Sequence, residues 1–448
     1  MPEGRAPEGR NLHGAGARET GGSAIPGGRG AAATAVAVAA VVALALNLRP
    51  ALAGFSPLAG EAGAELGLGA GTISLVTTLP LLCFGVFALL APVLGRRFGA
   101  ERALAVTMPL LAVGILVRGA GGIAALIGGT VLVGVAIAIG NVLLPGMVKR
   151  RFPGRIGVMT GVYAAAIGGG AMFAAALARP LDDLTHGWRP ALAVWALPAL
   201  AAALPLALLT RAVPSGTVPR TAGRVLSEGA DRAVSGERDG PGVGSPGFGG
   251  PGEGETDGSE AAEGQAIGRR TVAALAVFFG LQSIVFYVVL AWLPRILTDA
   301  GMAPAEAGLP LSLVQLVSLP TGLVVSTLAR TSRGQAWYAM ACGAAGAAGL
   351  AGLLAAPGAV PYVWAFLLGL GVAAFPLALA MVTARAGGPS QADRLSSVVQ
   401  SCGYLMSAAG PLLAGLLRDM TGTWTAALTF MVVVAALMVP SGWLAARL

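Results

Sequence analysis

Residues 32–56, AATAVAVAAVVALALNLRPALAGFS, contain one charged residue, Arg49. A helix of about 20 mostly apolar residues crosses the roughly 30 Å hydrocarbon core of a lipid bilayer. This stretch is long and apolar enough to do so, and Pro50 favours irregular helix beside the charge because proline disrupts helical hydrogen bonds. The stretch predicts a membrane-spanning segment that carries an arginine within the membrane.

The same apolar pattern continues through most of the chain. The chain has 448 residues, of which 55% are apolar and 11% charged, and this composition excludes a soluble globular protein. Together with residues 32–56, eleven further apolar segments make twelve predicted spans, numbered 1 to 12 in chain order. The further segments are residues 72–95, 102–119, 121–144, 156–180, 187–210, 271–296, 306–329, 335–356, 360–384, 395–417 and 422–446.

Two segments lack this apolar character. Residues 1–31 are rich in Gly, Pro, Arg and Glu, and residues 212–269 contain 15 glycines and a single aromatic residue. Neither segment has the apolar surface that would offset the entropy lost on ordering. The predicted fold is an all-α membrane protein with a disordered tail (1–31), a six-helix half (32–211), a flexible linker (212–269) and a second six-helix half (270–448).

The positive charges indicate an orientation in the membrane. Cytoplasmic connections of membrane proteins carry an excess of Lys and Arg. The two termini and the connections on their side carry 23 of the 29 Lys and Arg residues, and the opposite connections carry five, Arg118 among them. Both termini are therefore predicted to be cytoplasmic. The protein itself is predicted to lie in the inner membrane of a bacterium. This asymmetry also accounts for the net charge of +8, so the charge does not indicate nucleic-acid binding.

An alternative for the start of the chain is a cleaved signal peptide. Arginines precede the apolar stretch 31–46, and Ala51-Leu52-Ala53 has the small-residue pattern of a cleavage site. Cleavage would leave eleven spans, and Pro50 is unfavourable in a cleavage region. The stretch is therefore assigned to span 1.

The two halves share an internal repeat. Gly and Arg landmarks are 29 residues apart in both 67–96 and 301–330, and arginines are 24 residues apart in both 155–179 and 394–418. Two matches in corresponding places favour pseudo-symmetric halves. Secondary transporters are often built from such repeats, with the solute site near the middle of the membrane between them.

Arg49 is the central site candidate. A charge at membrane depth is costly unless it faces a partner or a water-filled path, and the alternative is that its side chain extends to the membrane surface. A guanidinium at depth would select an anion through paired hydrogen bonds. The offset of 234 residues between Gly67 and Gly301 aligns Arg49 with a polar and aromatic stretch in span 7. Candidate solute contacts in spans 1 and 7 are Asn47, Arg49, Gln282, Ser283, Phe286, Tyr287 and Trp292.

Other polar residues lie in the middle of further spans. Each of them either contacts the solute or hydrogen-bonds a neighbouring helix, and both interpretations stay open. The carboxylates are predicted in tails, loops or span ends, and the three cysteines have no metal-binding spacing. The sequence therefore predicts no enzyme, no metal and no cofactor. The polar residues in the middle of further spans, which are also site candidates, are Asn141, Tyr163, Gln315, Gln400 and Tyr404.

Several motifs resemble one known family. They are LNLRPAL at residues 46–52, TTLP followed by CFG at residues 77–85, GWRPAL with WALP at residues 187–198, and LQS through FY to AWLP at residues 281–294. Together they resemble the cyanate and 2-nitroimidazole transporter family of the major facilitator superfamily, and the resemblance covers nearly all of the chain except the tail and the linker.

The resemblance implies a twelve-helix bundle that works by alternating access on a small planar or anionic solute. It carries over Arg49, Gln282, Ser283, Tyr287 and Trp292 as site candidates. The 2–3 connection departs from the superfamily's acidic and basic gating motif, because Arg96 stands where an Asp is expected.

Three functional hypotheses follow. The first is a monomeric permease for cyanate or a related organic anion, with the lipid bilayer and the solute as its partners. The second is an exporter of small heteroaromatic drugs such as nitroimidazoles, in which aromatic residues dominate the site. The third is a membrane sensor or scaffold that transports nothing.

Overall fold

The structure is a computed structural model, and it describes residues 27–211, 267–328, 331–386 and 389–448. The predicted tail up to residue 26, the predicted linker at 212–266, and Arg330, which ends one of the repeat landmarks, lie outside the described residues. The first helix begins at Gly27, so residues 27–31 are helical and the tail predicted to reach residue 31 is shorter at that boundary.

The described residues are almost entirely helical, as predicted. The helices keep the order of the twelve predicted spans, and spans 1, 6 and 10 are each broken into consecutive pieces. In chain order they are Gly27–Asn47, Pro50–Ala53, Ser56–Leu58 and Ala59–Leu66 (span 1); Ala70–Phe98 (2); Ala100–Gly119 (3); Ile123–Arg151 (4); Ile156–Thr185 (5); Trp188–Ala193 and Ala196–Arg211 (6); Arg269–Asp299 (7); Gly308–Leu328 (8); Ser332–Ala355 (9); Pro361–Val372 and Ala374–Ala384 (10); Pro389–Thr421 (11); Thr425–Arg447 (12).

Length and composition make these helices membrane-spanning. Among the described residues, ten helices are long and apolar enough to cross a bilayer, and Gly308–Pro320 in span 8 is a shorter apolar helix. Span 11 has 33 residues and is less apolar, because it carries Gln, Ser and Tyr along its length. Helices satisfy their own backbone hydrogen bonds, which is why a helical bundle can be stable in lipid.

The helices form two bundles that meet along a shared interface. Within the first bundle, span 3 packs on spans 4 and 6; within the second, span 9 packs on spans 10 and 12. Across the interface, span 2 runs along span 11 and span 5 along span 8. Spans 1 and 7 are joined by side-chain hydrogen bonds between the bundles. The interface is therefore lined by corresponding spans of the two halves.

The repeat is visible in the turns between helices. Gly67 and Gly301, which are 234 residues apart, both have left-handed backbone conformations, with φ of 65° and 99°. His186 and Gly422 also have positive φ, and each lies between the end of a span and a tryptophan two residues further on. These turns lie at the end of the bundle opposite the described C-terminus. That end, with the 1–2, 3–4, 5–6, 7–8, 9–10 and 11–12 connections, is termed the distal end, and the opposite end the proximal end.

Candidate functional site

Span 1 is broken where the sequence predicts irregular helix. The helix Gly27–Asn47 ends just before Arg49, and Pro50 is the first residue of the short helix Pro50–Ala53. Arg49 caps this short helix with φ −124° and ψ −25°. Proline suits the first position of a helix because that residue needs no backbone N–H bond. The break directs the Arg49 side chain across the interface between the halves.

The Arg49 side chain reaches the second half. It is 5% exposed, and its Nη1 donates a hydrogen bond of 2.6 Å to the Tyr287 hydroxyl. The guanidinium carbon lies 5.1 Å from the centre of the Phe286 ring and 5.3 Å from that of Tyr287. The side chain therefore does not extend to the membrane surface, and aromatic faces stabilise its charge.

Aromatic rings from three spans surround this guanidinium. Tyr404 of span 11 interacts with both Arg49 and the Tyr287 hydroxyl. Its ring lies 5.4 Å from Phe84 of span 2 in an edge-on arrangement, and Phe84 lies 6.1 Å from Tyr287. Phe286 and Tyr287 are also edge-on, at 4.9 Å. These five residues, Arg49, Phe84, Phe286, Tyr287 and Tyr404, are termed the Arg49 cluster.

The Arg49 cluster contains one full charge and no acid. Ion pairs among the described residues involve Arg151, Arg179, Arg189, Arg295 and Arg418, and none involves Arg49. A buried charge without an opposite charge is poorly compensated, even with hydrogen bonds to hydroxyl groups. Such a site can attract an anion, and an anion would be favoured at the positive edges of the surrounding rings rather than at their faces.

Three sequence candidates lie nearby but use their polar groups within the protein. The Asn47 amide donates to the carbonyl oxygens of Ala43 and Pro198, at 2.8 and 3.2 Å. The Gln282 amide donates to the Ser283 hydroxyl at 2.6 Å and to a backbone oxygen of its own helix. The Gln282 side-chain oxygen is buried without a partner, so it retains one acceptor. The hydrogen bond from Asn47 to the Pro198 carbonyl joins spans 1 and 6.

Trp292 lies further towards the distal end than the Arg49 cluster. Its indole N–H donates to the Pro411 carbonyl at 3.1 Å, and its ring packs 5.3 Å from Trp424. The structure thus brings Trp292 together with spans 11 and 12, and it places no contact between Trp292 and Arg49.

The remaining candidates are distributed over spans 4, 5, 8 and 11. The Asn141 amide nitrogen is buried without a partner, and the neighbouring Gly140 packs against Leu48 beside the break in span 1. Gln400 donates to Ser396 at 2.7 Å within span 11. Tyr163 is half-buried and Gln315 is buried. Of this group, only Tyr404 belongs to the Arg49 cluster.

Arg118 is placed differently from the sequence prediction. It was expected among the distal connections, but it is 3% exposed in the last turn of span 3. Its Nη1 donates to the Ala51 carbonyl at 2.6 Å, and its guanidinium carbon lies 4.4 Å from the centre of the Phe55 ring. Its location at the end of an apolar segment led to the prediction of a loop residue.

A signal for the burial of Arg118 is present in the sequence. The other distal arginines have acidic residues close by in the chain, as with Arg295 and Asp299. The 3–4 connection, GAGG at residues 119–122, has none.

Phe84 was likewise not among the site candidates, although it stands in one of the motifs at residues 77–85. An aromatic residue in an apolar span gives no sign of which face it occupies.

The two halves are in contact at the distal end. The Ser56 hydroxyl donates to the Ala291 carbonyl at 2.8 Å, and the backbone N–H of Gly71 donates to the Asp419 carboxylate at 2.5 Å. The Ser312 hydroxyl donates to the Met172 carbonyl at 3.1 Å. All three bonds join one half to the other. In this conformation the two halves are therefore closed against each other at the distal end.

Comparison with known sequences places these features in a family. A match to the Major Facilitator Superfamily covers residues 31–411. The chain is 33% identical to the uncharacterized transporter YycB of Bacillus subtilis (strain 168), over 88% of this chain and 89% of that protein. It is 32% identical to the 2-nitroimidazole transporter of Escherichia coli (strain K12), over 90% and 93%. It is 26% identical to the cyanate transport protein CynX of the same organism, over 86% and 90%.

Solved structures show the same fold at low sequence identity. A D-xylose-proton symporter superposes with a TM-score of 0.64 at 14% identity, over 92% of this chain and 96% of that one. A mutant of the nucleoside transporter NupG superposes with a TM-score of 0.65 at 12% identity, over 91% and 98%. These similarities are evidence for the architecture only.

Proposed function

This chain belongs to the major facilitator superfamily, as its motifs predict, and we propose that it carries a small anion, cyanate or a related organic anion, with Arg49 as the anion contact. It is a multi-pass membrane transporter of small solutes. The observation that carries the proposal is the Arg49 guanidinium, buried between the halves with no carboxylate partner among the described residues.

Electrostatics favours an anion at this position. Removing one partner from a buried, hydrogen-bonded charge pair costs about 2–5 kcal/mol, because the remaining charge is left unpaired. An anion that binds Arg49 supplies the missing partner. The hydroxyls of Tyr287 and Tyr404 both interact with Arg49 and can donate to the same anion. A guanidinium and two hydroxyls suit a small solute with one negative charge.

The ring walls restrict the shape of the solute. Phe84, Phe286 and Tyr404 present edges and faces at the interface around Arg49. Ligand sites with mostly apolar walls and a few placed polar groups select small or planar solutes by shape. We therefore assign the linear cyanate ion and planar carboxylates to the substrate class.

Transport itself is proposed to follow alternating access. The halves at residues 32–211 and 270–448 would rock about the interface that contains Arg49. We assign the proximal end to the cytoplasm, because the sequence predicts 23 of the 29 Lys and Arg residues on the side of the two termini. We assign the protein to the inner membrane as a monomer.

Uptake of labelled cyanate into proteoliposomes tests the Arg49 role. Arg49→Ala should reduce uptake by about 30-fold or more, which corresponds to the loss of about 2–5 kcal/mol of charge pairing. Arg49→Lys should recover only part of it, because lysine keeps the charge but loses the paired donor geometry. Arg333→Ala is the matched control, since Arg333 is exposed at the start of span 9.

Thermal unfolding in detergent distinguishes a lost contact from a lost fold. Arg49→Ala should unfold at a temperature close to that of the parent protein while its transport is lost. If the Ala variant folds and transports cyanate at the parent rate, Arg49 is not the anion contact.

A second candidate is the export of small heteroaromatic compounds. The aromatic walls of the Arg49 cluster favour it, as does the 32% identity to a protein named as a 2-nitroimidazole transporter. In that case Phe286→Leu and Tyr404→Leu should impair transport more than Arg49→Gln. Competition against labelled substrate separates the two candidates: inhibition by 2-nitroimidazole but not by cyanate would favour the exporter.

A further inference from the structure

A second buried guanidinium lies distal to Arg49. Arg118 ends span 3, and its side chain is 3% exposed. It contacts the broken part of span 1 twice, through the Ala51 carbonyl at 2.6 Å and through the Phe55 ring at 4.4 Å. Both groups are neutral. The Nε atom of Arg118 is buried with no hydrogen-bond partner.

The charge on Arg118 has no counter-charge. The other buried or half-buried distal arginines pair with acids: Arg179 contacts Glu61 and Asp182, and Arg189 lies 2.9 Å from Glu65. No ion pair of Arg118 occurs in the described ranges. A carbonyl oxygen and a ring face compensate a full charge only in part. The site is electrostatically incomplete without an anion.

Arg118 also borders a cavity at the interface of the halves. The cavity holds about 30 Å³, and its walls include Thr77 of span 2 and Tyr287 of span 7. Tyr287 is the residue whose hydroxyl accepts the hydrogen bond from Arg49. One side of Tyr287 therefore faces Arg49 and another faces the cavity beside Arg118.

The cavity is small because the distal end is closed. Its second-half walls, Tyr287, Leu290 and Ala291, belong to span 7, and Ala291 accepts the hydrogen bond from Ser56. Separation of the halves would move these walls away from Arg118 and widen the cavity towards the distal end. Arg118 would then be the first buried positive charge on the path to Arg49.

We propose that Arg118 is a distal anion station, a second site that binds the transported monovalent anion before it reaches Arg49. This inference rests on the proposed transport of an anion at Arg49. Opposite charge along a narrow path raises the local concentration of the solute and its rate of capture by about tenfold or more. The Phe55 ring holds the guanidinium in place, and Tyr287 lies between the two stations.

Three substitutions at Arg118 separate charge from hydrogen bonding. Arg118→Lys keeps the charge and a donor, Arg118→Gln keeps a donor to Ala51, and Arg118→Met keeps neither. In proteoliposomes with labelled cyanate, the Gln and Met variants should lose about tenfold or more in kcat/KM, while Lys stays within about threefold of the parent. In an Arg49→Gln background, thermal shift with sodium cyanate reports binding outside Arg49, and this remaining shift should be lost when Arg118→Gln is added.

Two results would overturn the station. One is a Gln variant with the parent kcat/KM, which would mean that Arg118 only stabilises the broken part of span 1. The other is a thermal shift by sodium cyanate that is the same in the Arg49→Gln variant with and without Arg118→Gln. The outcome for Arg49 is separate: if Arg49→Gln loses uptake and Arg118→Gln does not, only the station fails. If Arg49→Gln retains uptake, the proposed function fails as well.

A substitution at another residue of the cavity wall covers the case in which Arg118 variants do not fold. Thr77→Asp would place a carboxylate in the cavity and supply Arg118 with an internal partner, in competition with the solute. Its kcat/KM for cyanate should fall by about tenfold relative to the isosteric Thr77→Asn, because the captured anion meets a neutralised site. Equal values for the two variants would contradict the station.

Discussion

The substitution Ser56→Ala removes a hydrogen bond that joins the two halves at the distal end. The Ser56 hydroxyl donates to the Ala291 carbonyl at 2.8 Å, and the side chain is buried. This bond can form only while spans 1 and 7 are in contact at that end. Its loss should therefore destabilise the distal-closed conformation and leave the distal-open conformation unaffected.

The expected size of the shift follows from the hydrogen bond. A neutral hydrogen bond contributes about 0.5–1.5 kcal/mol, which corresponds to about a 2- to 13-fold change in the ratio of open to closed molecules. Ser312→Ala should have a smaller effect, because the Ser312 hydroxyl bonds Met172 across the interface at 3.1 Å and Gly308 of its own helix at 3.0 Å. The double variant should show the product of the two changes, since the residues share no partner.

Labelling of a cysteine introduced by Val76→Cys measures this ratio. Val76 is 1% exposed and lines the cavity beside Arg118, so a membrane-impermeant maleimide reaches it only when the distal end opens. The natural Cys83 and Cys342 are buried, and the exposed Cys402 is replaced by serine in the parent. The labelling rate should rise with the open population, by about 2- to 13-fold for Ser56→Ala.

A control within one helix completes the test. The Thr107 hydroxyl is buried and donates to Leu104 in span 3, so Thr107→Val removes a similar bond that does not cross the interface. This variant should label at the parent rate. A Ser56→Ala variant that labels no faster than the parent, or a Thr107→Val variant that labels as fast as Ser56→Ala, would refute the role of the Ser56 hydrogen bond in closing the distal end.

Two further predictions concern stability and the location of Trp292. In Gly170→Ala the new methyl group would overlap the Leu46 carbonyl oxygen, so we expect a loss of about 1–3 kcal/mol or more in unfolding free energy, whereas Gly169→Ala, with open space at its Cβ position, should unfold like the parent. Trp292→Phe loses the bond to the Pro411 carbonyl and should lower the unfolding free energy by about 0.5–1.5 kcal/mol without changing KM, because Trp292 does not contact Arg49. Thermal unfolding in detergent measures the stabilities, and a KM for Trp292→Phe raised severalfold would place Trp292 in the solute path.

Much of the fold could be predicted from local sequence. Apolar length identifies the spans, and Pro50 predicts the break that the structure shows between Asn47 and Pro50. Gly67 and Gly301 each lie 29 residues before an arginine, and this equal spacing predicts the repeat. Both glycines have left-handed backbone conformations after the end of a helix. These features depend on residues near each other in the chain, so the sequence alone is sufficient to predict them.

The site could be predicted only in part, because it depends on which groups meet across the halves. Arg49 and Tyr287 are 238 residues apart, and their hydrogen bond depends on the packing of spans 1 and 7. Asn47 and Trp292 each donate a hydrogen bond to a backbone carbonyl of a distant helix, Pro198 and Pro411, which no motif identifies. Arg118 stands at the end of an apolar segment, and the lack of acidic residues in the 3–4 connection is the local sign that it is buried.

Under the proposed function, the arrangement around Arg49 would link anion binding to the movement of the halves. The first half contributes the charge, and the second half contributes the Tyr287 and Tyr404 hydroxyls that interact with it. If the halves part at this interface, these interactions weaken, and a charge with weaker partners in low dielectric is costly. A bound anion would move with Arg49 and would keep its charge compensated while the contacts with Tyr287 and Tyr404 are lost. The electrostatic interaction that selects an anion would therefore lower the energy barrier for the movement of the halves more in the anion-bound protein than in the empty one.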